Sequence, residues 1–226
     1  MMESLSNLWE KYGMLLLEGT GATLYMTFAA TLFAYLIGLP LGVLMIVTAK
    51  NGIHPRPIFN SVLSWIINIG RSIPFIILIV ALIPFTRMIT GTSIGPTAAI
   101  VPLVIGAAPF VARMVETSLK EVDPGVVEAA SAMGATGWQI VWKVLLPESI
   151  PSLFRGTSIS TITLIGYSAM AGTVGGGGLG DIAVRYGYQR YQQDVMIVTI
   201  ILLVIIVQLI QFGFGLLANT IDKRKN

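Results

Sequence analysis

Apolar residues run along this chain in long unbroken blocks, with the charged residues bunched between them. Segments 19–49, 88–112, 156–180 and 195–221 hold 31, 25, 25 and 27 residues without an Asp, Glu, Lys or Arg, and segment 57–86 holds 30 with only Arg71. A helix needs about 20 largely apolar residues to cross a bilayer. The pattern therefore predicts five transmembrane helices, over 19–49, 58–86, 94–115, 149–172 and 195–218. Prolines inside the blocks predict bends at Pro40 (between Gly38 and Gly42), at Pro74 and Pro84, and at Pro102 and Pro109. Each removes a helical hydrogen bond, which in lipid must be replaced by a neighbour or by water. Proline is also simply commoner in membrane helices than in soluble ones. The expected fold class is all-α integral membrane, one transmembrane domain over residues 1–226, with no internal repeat.

Composition sharpens this picture by exclusion. Charged residues make up 11% of the 226 and hydrophobic ones 54%, with a mean hydropathy of +0.81. Ordinary soluble domains carry about 25% charged residues, so a soluble enzyme, a disordered protein and a nucleic-acid-binding module are excluded. With no cysteine there is no disulfide or thiolate site, and the single histidine, His54, cannot build a metal cluster alone. No catalytic residue, metal or cofactor is expected. Glu3, Glu10, Lys11 and Glu18 precede the first block. That start is unlike the basic lead of a cleaved signal, so the first span is expected to stay as an anchor. None of the five predicted spans has an interior Asp or Glu, residues that mark ion-coupled carriers. Energy supplied from outside the subunit fits better.

Lys and Arg decide the orientation. One side of five spans receives Lys11, Arg87, Arg185 and Arg190; the other receives Lys50, Arg56, Arg113, Lys120, Lys143, Lys223, Arg224 and Lys225. Eight against four places the N-terminus outside and the C-terminus in the cytoplasm. The loop over about 116–148 is then cytoplasmic. Within it, Asp123 and Pro124 form a helix start, Gly134 a break and Thr136 a second cap, with the second helix ending at Pro147. The small surface of Ala129, Ala130, Ala132 and Gly134 permits close approach by another protein; a helix lying on the membrane would use it equally.

Glu128-Ala129-Ala130, then Gly134, then Val144-Leu145-Leu146-Pro147 resembles the EAA signature of bacterial ABC-importer permeases, with Val144 where that family prefers Ile. Segments 70–87, 95–116 and 166–191 resemble the methionine-uptake branch of the family. The resemblance implies a five-span subunit of the bacterial inner membrane acting as a homodimer. It also implies two separate ATP-binding cassette subunits and an external methionine-binding protein as partners, with ATP bound by those cassette subunits and not by this chain. Glu128, Ala129, Ala130, Gly134 and Pro147 would then couple the spans to the ATPase. The same machinery with another amino acid, a sulfonate or an osmoprotectant as cargo is the alternative, followed by a secondary transporter.

Other motifs bear on the pathway. Gly175, Gly177 and Gly180 match a dinucleotide-binding pattern, but that pattern needs a preceding strand, and here a membrane span precedes it. A re-entrant turn or gate and a plain flexible loop both fit the run 175–178. No Gly-Lys-Ser or Gly-Lys-Thr tripeptide exists to bind ATP phosphates. Arg71, deep in the predicted second span, fits a pathway or interface role, or snorkelling. Ser160, Thr163 and Tyr167, with Thr157, Thr161 and Ser168, form hydroxyl stripes that suit a wet pathway or helix packing alike. Tyr167, Ser168 and Met170 would sit near an outer gate, and Trp138 and Trp142 would anchor the inner interface.

Overall fold

A computed structural model describes residues 2–221, with side chains described from Trp9 onward; Lys223, Arg224 and Lys225 of the orientation count lie outside the described residues, as does the side chain of Glu3. Helix α1 (Met2–Val47) is followed by α2 (Pro57–Ser72), α3 (Phe75–Ala81), α4 (Ile83–Thr90) and α5 (Pro96–Lys120). Next come α6 (Pro124–Ala132), α7 (Gly137–Ile140), a π turn (Val141–Leu145) and α8 (Leu146–Gly172). The chain closes with α9 (Gly178–Ile182), a second π turn (Ala183–Tyr188) and α10 (Gln193–Ile221). The described residues contain no strand.

The first helix is longer than the apolar block that predicts it. Charges at Glu10, Lys11 and Glu18 set the expected start at 19, yet Glu and Lys are good helix formers, and the helix runs from Met2 through Pro40 without a break. Pro102 and Pro109 likewise lie inside an unbroken α5. A proline costs one backbone bond and some strain, and these sites hold their helical form. Of the predicted bend sites, Pro74 is where the helix breaks. The residue before a proline is pushed out of the α region, and Pro74 itself has ψ 130°. A second break falls at Leu82 (φ −85°, ψ 0°), just ahead of Pro84.

Three described helices are long and apolar enough to cross a membrane: the Trp9–Val47 part of α1, α5 and α10. The pair α2 and α3, separated by a bend, makes a fourth if it counts as one span. At 27 residues α8 has the length, but its serines and threonines leave it below the apolar character of the others.

The chain forms two compact units, neither continuous in sequence. The first comprises Met1–Leu32, Ile73–Gly106 and Thr161–Ile210. Its core gathers Leu16, Ile165, Leu179, Ile182, Val195 and Ile206. Here the glycine run is a packed turn rather than a flexible loop. Gly178 has φ +76°, and a Cβ there would meet Thr23 Oγ1 at 2.7 Å; at Gly180 a Cβ would meet the Ala169 carbonyl oxygen. Thr23, on α1, is buried, and its Oγ1 accepts from the Leu179 N–H at 2.9 Å. The Gly95 N–H donates to the Gly175 carbonyl at 2.8 Å. The second unit comprises Phe33–Ser72, Ala107–Ser160 and Gln211–Asn226, with Met45, Ile67 and Ala112 packed together.

Gly178→Ala is expected to destabilise the protein by roughly 1–3 kcal/mol, because both backbone strain and overpacking act there. Gly213→Ala, where nothing lies within 4 Å of the new methyl, is expected to be neutral or slightly stabilising. Thermal unfolding of the two detergent-solubilised variants checks the contrast, and equal shifts would contradict the packed-turn account.

Candidate functional site

Helix α6 is built to be held by its ends and bare along its length. The Asp123 side chain accepts from the Gly125 N–H at 2.8 Å, satisfying one orphan donor of the first turn, and Pro124 supplies the first helical residue. At the far end Gly134 takes φ +82°, which an L side chain rarely adopts, so the helix stops there. No α6 residue is buried. Glu128, Ala129, Ser131 and Ala132 are exposed, Ala130 is half-buried, and Met133 follows at 87% exposed. Short side chains with one carboxylate and two apolar neighbours, Val126 and Met133, give a narrow ridge that another protein can approach closely. An open groove of about 620 Å³ flanks it, lined by Ile46, Ile53, Leu119, Val127, Glu128 and Ser131 among others.

Gly134 also ends the link to the second helix. Thr136 Oγ1 accepts from the Gln139 N–H at 3.3 Å while Gln139 Oε1 accepts from the Thr136 N–H at 2.8 Å, a reciprocal capping box. Pro147 does not terminate this helix. A proline lacks the N–H that would bond the residue four back, and the chain accommodates it by widening to a π turn over Val141–Leu145, where the Leu146 N–H donates to the Val141 carbonyl. The helix then continues as α8. Glu128, Ala129, Ala130 and Gly134 are thus brought together on one ridge, while Pro147 stands apart at the start of α8.

Residues of the expected pathway are placed separately. Arg71 is exposed, one residue from the end of α2; it is not in the middle of a continuous span, because the helix breaks directly after it. In the second unit, Ser160 is buried and donates to the Gly156 carbonyl at 2.9 Å, with the Tyr35 hydroxyl beside it. In the first unit, Ser168 is buried and donates to the Ile165 carbonyl at 2.8 Å. Both hydroxyls are engaged by their own helix, a common fate of serine in apolar surroundings. Thr163 and Tyr167 are half-buried, and Met170 is exposed. The Tyr167 ring stacks on Phe75 with centroids 4.4 Å apart. Phe75, the first residue after the Pro74 break, went unnoticed in the sequence. Trp138 and Trp142 are exposed, with ring centroids 5.4 Å apart.

Two further groups were readable but missed. Thr23, Thr27 and Thr31 recur every fourth residue on α1 and are all buried; Thr31 Oγ1 reaches Thr161 Oγ1 at 3.5 Å. Arg113, Glu116 and Lys120 share one face of α5. The buried Glu116 carboxylate takes Arg113 and Lys120, each at 2.6 Å. Arg113 also donates to Ser64 Oγ and to Asn68 Oδ1 on α2. Spacings of three and four are the signature of such helical pairs. The network fastens α2 to the last turns of α5, directly ahead of the α6 loop.

The chain belongs to the family of binding-protein-dependent transport system inner membrane components, whose model matches residues 38–226. A Vibrio cholerae protein described as a probable D-methionine transport system permease, MetI, is 52% identical over 210 residues, covering 93% of each chain. A Pasteurella multocida protein of the same description is 52% identical over 217 residues, covering 96% of this chain and 98% of that one. Among solved structures, a chain of the MetNI methionine ABC transporter in an inward-facing conformation superposes with a TM-score of 0.94 at 53% identity. That match covers 95% of this chain and 99% of the other.

Arg113→Leu is expected to cost about 2 kcal/mol, because it strips a buried carboxylate of its best partner. Lys120→Leu, removing the exposed partner, is expected to cost under about 0.5 kcal/mol. Unfolding midpoints of the two variants in detergent check this ranking.

Proposed function

We propose that the chain is the membrane-spanning permease subunit of an ATP-driven importer, that it carries methionine, and that it works as a homodimer. Its partners are two separate ATP-hydrolysing subunits and an external methionine-binding protein. The observation that carries the coupling role is α6 itself, a helix capped at Asp123, stopped at Gly134 and bare between. The two relatives described as D-methionine permeases and the likeness to the methionine transporter chain support the cargo.

In this reading the five spans are α1, the bent α2–α3 pair, α5, α8 and α10. The N-terminus faces outward and the C-terminus inward, as the eight-to-four split of basic residues favours. Closure of the ATPase pair draws in the ridge from Glu128 to Gly134, and the permease moves to a state open toward the binding protein. Release of the pair resets it. Only a difference in how the two states hold the ridge can drive such a switch. A two-fold axis between copies is the simplest way for so small a subunit to enclose a path.

Ala130→Pro is expected to abolish uptake of labelled methionine while leaving membrane insertion and the helical content of the spans intact. The assay uses cells stripped of other methionine systems, expressing this chain with its ATPase and binding protein. Normal uptake by the variant would sink the coupling role. Absence of wild-type methionine uptake, while the chain still co-purifies with its ATPase, would overturn the cargo and keep the machinery.

A further inference from the structure

The connection between α1 and α2 folds back on the end of α1. The His54 N–H donates to the Val47 carbonyl at 2.9 Å and the Arg56 N–H to the Thr48 carbonyl at 3.0 Å. From α2, Asn60 Nδ2 donates to the Met45 carbonyl at 2.7 Å and to Thr48 Oγ1 at 3.0 Å. Four bonds thus fix a short turn whose backbone would otherwise be loose.

Beside this turn lies a groove of about 580 Å³ lined by Leu44, Val47, Thr48, His54, Pro55, Arg56 and Phe59. Its lining is of two kinds. Leu44 and Phe59 are exposed apolar side chains, 41% and 47% accessible, with Val47 alongside. His54 and Arg56 are exposed nitrogen donors, and no carboxylate among the described residues lines the groove. A Cβ on Gly137 would run into His54 Nε2, so the imidazole rests on the start of α7, one residue from the exposed Trp138–Trp142 pair. Exposed tryptophans of this kind favour the membrane–water boundary.

We propose that this groove binds an anionic phospholipid of the inner leaflet, with its phosphate on Arg56 and an acyl chain along Leu44, Val47 and Phe59. The assignment rests on the orientation proposed above, which puts Lys50, Arg56 and Lys143 on the side whose leaflet carries anionic lipid. The planar guanidinium fork matches two phosphate oxygens. A hydrophobic wall next to a cation, with no competing carboxylate, suits a lipid better than a free anion, which would leave the apolar side chains bare. A zwitterionic headgroup brings its own cation and gains less from Arg56.

The test takes the assembled transporter in detergent, adds phosphatidylglycerol or phosphatidylcholine of identical chains, and counts retained lipid by native mass spectrometry. Phosphatidylglycerol is expected to be retained several-fold more, and Arg56→Gln to lower its retention about tenfold, the scale of one charge-assisted contact. Arg190→Gln, in the turn before α10, is expected to leave retention unchanged. Phe59→Ser is expected to weaken long-chain phosphatidylglycerol but not its dihexanoyl form. Equal retention of the two lipids, an equal loss in Arg190→Gln, or displacement of the lipid by millimolar inorganic phosphate would each overturn the proposal. Retention is read without transport, so failure of the methionine reading and failure of this one are separable.

Discussion

A backbone that lies in hydrocarbon has to satisfy its own polar groups, because no water is there to do so. Several departures from regular helix among the described residues carry a stand-in, in the spans and in the loop alike. Where α1 ends, Asn60 and two backbone N–H groups take the last carbonyls. Gly95 and Gly175 pair across the glycine turn, and Thr23 receives the N–H of Leu179. Asp123 and Thr136 cap the two loop helices. The side chains that break or bridge helices are therefore the ones that give each unit its shape, and the apolar residues between them are largely free to face lipid.

That division explains how α6 can be both exposed and helical. Its ends are fixed by a carboxylate cap and a left-handed glycine, so the faces between need no packing to keep their form. The Arg113–Glu116–Lys120 network, tied to Ser64 and Asn68, steadies the helix that leads into it. A force applied to the ridge thus meets stiff elements on both sides.

Much of this was legible in the residues. Long charge-free blocks located the helices to within a few residues at most ends, and Asp123, Gly134 and Thr136 announced the loop helices because capping chemistry is local. What escaped notice depends on partners distant in sequence. Proline marks a possible break, yet only Pro74 interrupts its helix directly, while Pro40, Pro102 and Pro109 do not; the ring is the same and the surroundings differ. The glycine run left a gate and a loose loop equally open, because the Thr23 and Ala169 contacts that make it tight come from other helices. Glu116 fell one residue beyond a predicted span, so its burial was not considered.

The π turn over Val141–Leu145 has a consequence for how motion could travel. Since Pro147 does not end the helix, α7, the turn and α8 follow one another without a break in the chain from Gly137 to Gly172. The widened turn lodges an extra residue in the helix, so the residues before it are rotated about the helix axis against those after it, and twist applied there has a built-in place to be absorbed.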